Sequence, residues 1–235
     1  MINKAMILSA GFGKRLHPLT LKKPKPLLKI GEETLLSNSL KFLKLFGVKE
    51  VIINVHYLGQ QIIDYINENK FNLSIKIVEE KRKILDTGGG VLNAIQHFTS
   101  SPFLIINPDT IWNSYYLKEL KLMEKLFFEN QKIKCSLLVV NKKKSFDQSI
   151  EGNFNLNNYL ISRNDQNNLK YIYTGLQIVK PEIFSNLGVR IFSMNKIWNK
   201  LIEINGLYGV ESNVNFLHVS TLNIYNDILK KKFNF

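Results

Sequence analysis

Two spacings of apolar residues alternate along the first half of the chain. Lys4 to Ser9 is a short apolar run of strand length, and behind Thr34 the residues Leu36, Leu40 and Leu43 return at helical spacing until Gly47. Thr34 is a helix-capping residue type, and Gly47 suits the left-handed turn that closes a helix. Val51 to Val55 reads as the next buried strand, Gly59 to Asn69 as a helix, Leu73 to Val78 as an alternating strand and Gly90 to Phe98 as a further helix. Phe103 to Ile106 is a fully apolar strand that runs into Asn107-Pro108-Asp109. This alternation predicts a doubly wound, mainly parallel α/β sheet covered on both faces. Open sheets of this kind bind ligands beyond the carboxyl ends of their strands. The residues just after Ser9, Val55, Val78 and Ile106 are therefore expected to face one crevice.

After a helix from Tyr115 to Glu129 the pattern shortens into strands at Cys135 to Val140, Phe154 to Ile161 and Tyr171 to Val179. No Pro/Gly/Ser-rich linker, repeat or low-complexity stretch divides the chain, so residues 1–235 are expected to form one domain. No run approaches the roughly 18 apolar residues that span a bilayer, and the first strand follows the amino terminus without a cleavage site. The expected location is the cytoplasm, with no membrane partner. Cys135, the single cysteine, lies in an apolar run and reads as a buried free thiol.

The net charge of +13, from 32 Lys and Arg against 19 Asp and Glu, raises the question of nucleic acid. The lysines are spread along the chain, and the tightest runs, Lys142 to Lys144 and Lys230 to Lys232, are short and lack interleaved aromatics. Nucleic acid is not the expected partner. A diffuse positive field still draws small polyphosphates toward the surface.

Four segments carry candidate chemistry. Leu8-Ser9-Ala10-Gly11-Phe12-Gly13-Lys14-Arg15 follows the first strand; its small residues let a phosphate approach backbone N–H groups, and Arg15 offers a planar fork for two phosphate oxygens. A dinucleotide fingerprint would need glycine at position 16, which is Leu16, and a P-loop would need glycine at position 8 and Ser or Thr after the lysine, where Leu8 and Arg15 stand. Pro24-Lys25-Pro26 holds a lysine between two residues of fixed φ on a segment not expected to be helical, so its ammonium either faces an α-phosphate or sits on a surface loop. Asp86-Thr87-Gly88-Gly89-Gly90 is expected to precede a helix and offer a flat backbone to a base or sugar, or else to be a flexible loop. Asp109, past a buried strand, can anchor Mg²⁺ or cap the helix that follows. His17, His56 and His97 have no metal-site spacing and read as structural.

Together, Leu8 to Arg15, Pro24 to Leu27, Asp86 to Gly90 and Asn107 to Asp109 resemble the sugar-1-phosphate nucleotidyltransferase family, over nearly the whole chain. Within it, Gly59-Gln60-Gln61-Ile62 and the Asp86 turn are most similar to the N-acetylmuramate 1-phosphate uridylyltransferases of cell-wall recycling, with the mannose-1-phosphate guanylyltransferases as neighbours. The resemblance implies a Rossmann-like nucleotide-diphospho-sugar transferase fold, with a nucleotide half over about residues 1–110 and a β-rich sugar-acceptor half over about 111–235. It implies Mg²⁺, a nucleoside triphosphate (UTP favoured) and a sugar 1-phosphate as ligands. Ala10, Gly11, Gly13, Lys14, Arg15, Asp86 and Gly88 would meet the nucleotide. Arg15, Lys25 and Asp109 would carry the chemistry, and Asn107, Gly152, Thr174 and Gly175 would line the sugar pocket.

One departure from the family pattern bears on the metal. The family ends its core with an aromatic, an apolar residue and then Asp-Val-Gly-Thr, whose aspartate is a second metal ligand; here Phe216-Leu217-His218-Val219-Ser220-Thr221 occupies that place. His218 in a metal shell suits Mn²⁺, Co²⁺ or Zn²⁺ better than Mg²⁺, and Ser220 replaces a glycine of close approach. An imidazole there predicts activity that changes between about pH 6 and 7.5. It also opens a second reading, a nucleotide-binding regulatory protein without turnover.

Overall fold

In a computed structural model that describes residues 1–99, 101–164, 168–188 and 190–231, the chain runs through eleven strands and six helices among the described residues. In order these are β1 (Lys4–Leu8), β2 (Lys29–Ile30), β3 (Glu33–Thr34), α1 (Leu35–Phe46), β4 (Glu50–Val55) and α2 (Gly59–Glu68). There follow β5 (Ser74–Glu79), α3 (Asp86–Ala94), β6 (Phe103–Ile106), α4 (Leu117–Glu129), β7 (Cys135–Asn141) and β8 (Asn155–Asn157). The chain closes with β9 (Leu160–Ser162), β10 (Tyr171–Val179), α5 (Met194–Glu203), β11 (Leu207–Ser212) and α6 (Leu222–Lys230). Lys232, the last residue of the second lysine run, lies outside the described residues.

Nine strands form one sheet in the order β5-β4-β1-β6-β10-β7-β11-β9-β8. β5, β4, β1 and β6 are parallel, β10 runs antiparallel between β6 and β7, and β11 is parallel to β7. The winding reverses at β1: the chain moves outward through β4 and β5, then returns to place β6 on the other side. The strands are apolar on both faces because both are covered. Ile7, Val51, Ile53, Leu104 and Ile106 meet one cluster with Leu36, Leu40 and Leu43 of α1 and Leu120 and Met123 of α4. Met6, Ile52 and Ile105 meet the other, with Val91 of α3 and Trp198 of α5. The second half of the chain continues this sheet, extended by the β8–β9 hairpin.

Among the described residues no helix is long and apolar enough to cross a membrane. Cys135 is buried beside Gln177, its Sγ 3.3 Å from Oε1, and burial pushes its thiol well above the usual range.

Local signals set most boundaries. The Thr34 hydroxyl accepts from the Ser37 N–H at 2.9 Å, and Gly47 closes α1 with φ 110°. Thr34→Ala is expected to lower unfolding free energy by about 1 kcal/mol in urea titrations, whereas an unchanged midpoint would show that packing alone holds α1. The α3 start is a correction. The helix begins at Asp86, not Gly90, so the three glycines lie inside its first turns, where each allows a close approach described below.

Candidate active site

The carboxyl ends of β1, β5 and β6 open into a cleft of roughly 380 Å³. Its wall includes Ser9 to Leu16, Lys25 and Pro26, Asn54, Glu80, Ile84, Asp86 and Thr87, and Asn107 to Asp109, so the ends of β1, β5 and β6 meet as expected, while β4 contributes Asn54 from within the strand and the residues after Val55 line a separate depression. The glycine-rich loop is held open by its own contacts. Gly13 takes φ 63° and its carbonyl accepts from Thr20 Oγ1 at 2.9 Å, while Tyr57 Oη donates to the Thr20 carbonyl at 2.9 Å. A Cβ at Gly11 would meet nothing within 4 Å and would project into open space. Ala10 is buried at the loop's base, Lys14 sits 5.5 Å from the Phe12 ring centroid, and Arg15 is exposed on the cleft wall.

Lys25 is placed by a tight turn. Contrary to the expectation of a non-helical segment, Lys25–Leu27 forms a single 3-10 turn: Pro24 precedes it with extended geometry, and the Leu27 N–H bonds back to the Pro24 carbonyl at 2.9 Å. The ammonium therefore reaches Asp109, Nζ to Oδ2 at 2.6 Å, with the two side chains 14% and 18% exposed. It is neither free nor on the surface.

Asp109 does not cap a helix. A bridge between Thr110 and His218, with the Ile111 N–H on the Leu217 carbonyl and the Val219 N–H on the Asp109 carbonyl, runs the two segments side by side. The turn that follows is capped by Asn113 instead. The bridge sets His218 Nδ1 3.6 Å from Asp109 Oδ1, and that oxygen is buried without a hydrogen bond. Burial pushes the Asp109 carboxyl up, but the Lys25 ammonium and then His218 outweigh it and hold the group at about 2. The His218 value is lowered as well, for a different reason. Burial lowers its pKa, and the opposing pull of Asp109 is countered by Lys25 and Arg15. The imidazole is thus neutral at pH 7, and any pH response expected near 6 to 7.5 moves to the acid side of the ordinary histidine value.

Several sequence-derived positions lie elsewhere. Gly88 is buried and off the cleft wall; a Cβ there would sit 2.4 Å from the Phe192 ring, so its smallness serves helix packing. Gly89 lets α3 approach the Arg190 carbonyl, where a Cβ would come within 2.3 Å. Gly152 packs on the Leu169 carbonyl beside a separate depression. Thr174 is buried, with Oγ1 on the Leu138 carbonyl at 2.9 Å. Gly175, at φ 95°, leaves room for Asn107: a Cβ would stand 2.9 Å from the Asn107 Cβ, and the Asn107 N–H bonds the Gly175 carbonyl at 2.7 Å. Of the four sugar-side positions, only Asn107 faces the cleft. Ser220 does not crowd Asp109; it is buried, with its hydroxyl on Asp147 Oδ2. Sequence spacing missed Asn54 and Glu80 on the cleft wall, because single polar residues at a strand end carry no motif, and within the Asp86 to Gly90 motif it chose Asp86 and Gly88 over Thr87.

Residues 4–146 match the nucleotidyl transferase family model. The chain belongs to the nucleotidyl transferase family. Among similar proteins of that family is the N-acetylmuramate alpha-1-phosphate uridylyltransferase of Caulobacter vibrioides, 26% identical over 220 residues, covering 92% of this chain and 90% of that one. Mannose-1-phosphate guanylyltransferase 1 of Arabidopsis thaliana is 34% identical over 121 residues, covering 50% of this chain and 33% of that protein. In fold, a putative glucose-1-phosphate thymidylyltransferase from Bacillus anthracis superposes with a TM-score of 0.77 at 18% identity, covering 99% of this chain and 96% of the other.

Proposed function

We propose that this chain, as one domain over residues 1–235 in the cytoplasm, joins the nucleoside monophosphate of a nucleoside triphosphate to a sugar 1-phosphate and releases pyrophosphate. The observation that carries the reading is the Lys25–Asp109 pair at the end of β6, on the wall of the same cleft as the glycine-rich loop and Arg15, with His218 beside Asp109 but off that wall. An oxygen of the sugar phosphate attacks the α-phosphorus in line; that P–O bond forms as the bond to the bridging α,β-oxygen breaks, and pyrophosphate departs. Lys25 keeps two N–H donors beyond the one engaged by Asp109 and directs its charge at the reacting phosphate. Arg15 holds the leaving oxygens at the mouth. A sugar phosphate is already ionised near neutral pH, so no general base is required.

The residues present fit a divalent ion: Asp109 Oδ1 is a buried acceptor without a donor, beside a neutral imidazole nitrogen. Asp109 and His218 would hold it, and the ion would supply charge stabilisation to the phosphates, as Mg²⁺ or, with the imidazole, Mn²⁺. His218→Asp is expected to lower the Mg²⁺ concentration giving half-maximal rate by about 5-fold or more and to flatten the fall in rate toward acid pH. Rates titrated against Mg²⁺ at pH 5.5 and 7.5 decide it; unchanged curves would place His218 outside the metal shell.

UTP with an amino-sugar 1-phosphate such as N-acetylmuramate 1-phosphate is the favoured pair, supported by the Caulobacter relative, which spans most of both chains. GTP with mannose 1-phosphate is the second, supported by the Arabidopsis match over half of the chain. Comparing kcat/KM for the two pairs tests the choice. A ratio favouring GTP and mannose 1-phosphate overturns the first.

A further inference from the structure

Glu80 is a buried carboxylate, 3% exposed, on the cleft wall, and its partners are an amide and a backbone N–H. Oε1 accepts from Asn54 Nδ2 at 2.7 Å and Oε2 from the Leu85 N–H at 2.7 Å. Asn54, also 3% exposed, turns its Oδ1 to the Ser9 N–H at 2.9 Å. The direction of these bonds is forced. The Ser9 and Leu85 N–H groups only donate, so Asn54 must show oxygen to Ser9 and N–H to Glu80, and Glu80 must accept at both oxygens. The series connects the ends of β1, β4 and β5. It fastens the glycine-rich loop that starts at Ser9 to the segment that ends in Asp86 and Thr87, two residues of the opposite cleft wall. The third glycine of the α3 run makes room for it, since a Cβ on Gly90 would lie 2.8 Å from both Asn54 Nδ2 and Glu80 Oε1.

We propose that Glu80, acting through Asn54, is a positioning residue for the nucleotide, holding the loop from Ser9 to Gly13 at a fixed separation from the Asp86–Thr87 edge. One nucleotide is then gripped at its phosphates and at its nucleoside end together. This inference rests on the nucleotidyltransferase reading of the cleft. Lys25, Asp109 and His218 are not part of the series, so the sugar phosphate is outside its reach.

The polarity of the series gives the test. In Glu80→Gln the amide offers one acceptor where two are needed, so either Leu85 loses its acceptor or Asn54 must turn its N–H toward the Ser9 N–H. In Asn54→Asp two carboxylates meet at the former 2.7 Å contact. The double substitution restores every bond: the new aspartate accepts from Ser9 and from the new glutamine's Nε2, and that glutamine's oxygen accepts from Leu85. Nucleotide dissociation constants are measured by calorimetry without sugar phosphate, at a temperature where circular dichroism shows each variant folded. The wild type is first titrated with UTP, GTP, CTP and ATP, and the tightest is used throughout.

Each single substitution is expected to weaken nucleotide binding about 10-fold or more, and the double to bind within about 3-fold of wild type. The KM for the sugar 1-phosphate should change by less than about 2-fold in the double and in any folded single. A folded single variant with wild-type affinity overturns the proposal, since a purely structural role would lower only the melting temperature. A double variant that is unfolded, or folded but no tighter than the singles, also overturns it. Should neither single fold, the double variant alone decides. A wild type that binds none of the four triphosphates defeats the nucleotidyltransferase reading itself.

Discussion

Asp109→Asn is expected to lower the rate of pyrophosphate formation by about 100-fold or more, with part recovered at raised Mg²⁺ or Mn²⁺. Asparagine keeps the shape of the side chain and removes its charge. In the native site Oδ2 takes the Lys25 ammonium at 2.6 Å while Oδ1 is buried and unbonded beside His218, so the substitution removes both the ion-pair partner and the available acceptor. Helix α4 should be unaffected, because Asn113 and not Asp109 caps the turn that leads into it. The pH dependence of stability reports the same group. Its folded value of about 2 lies below the ordinary 3.8, so the stabilisation is complete above 3.8 and is lost as pH falls through about 2. The asparagine variant should lack that component in urea titrations between pH 5 and 2. Normal activity at ordinary Mg²⁺ would reduce Asp109 to a partner of Lys25.

Lys25→Ala is expected to reduce kcat by about 100-fold or more while changing nucleotide affinity much less, because its charge acts where negative charge redistributes in the transition state. Lys25→Arg should not restore the rate. The Lys25 side chain is 14% exposed beside Asp109, and a planar guanidinium needs more room and directs its donors differently. Steady-state rates with calorimetric affinities separate the outcomes. An unchanged kcat in the alanine variant would leave Lys25 as a structural ion pair alone.

Much of the first half is legible in the sequence because each signal is local. Thr34 and Gly47 bracket α1, and the apolar strands β1, β4 and β6 can be read where they occur because both of their faces are covered. The cleft is legible for the same reason: strand ends in a doubly wound sheet converge, and the motifs sit at those ends. The glycines were harder. Gly88, Gly89 and Gly90 look like a ligand-facing loop in one-letter code, yet their absent side chains are replaced by Phe192, the Arg190 carbonyl and the Asn54–Glu80 pair. Those contacts come from distant parts of the chain, as do the ones that pack Gly152 on Leu169 and seat Asn107 over Gly175. α5, β11 and α6 also escaped sequence reading. The partners of α5 and β11 lie on β7 and β10, and those of α6 are Leu16, Leu28, Leu35 and Ile111, all distant in sequence. His218 is the intermediate case: its place in a family motif suggested a neighbour for Asp109, and the Thr110 bridge brings the two within 3.6 Å.

The central claim is that this cleft turns over a nucleoside triphosphate and a sugar 1-phosphate. It is tested most directly by pyrophosphate release from UTP, GTP, CTP, ATP and dTTP, each paired with N-acetylmuramate, N-acetylglucosamine, mannose and glucose 1-phosphates, in Mg²⁺ and in Mn²⁺. The account predicts release dependent on both substrates for at least one pair, abolished in Asp109→Asn and strongest with UTP and an amino-sugar 1-phosphate. Nucleotide binding without release from any pair in either metal would contradict it and leave a nucleotide-binding protein that does not catalyse transfer.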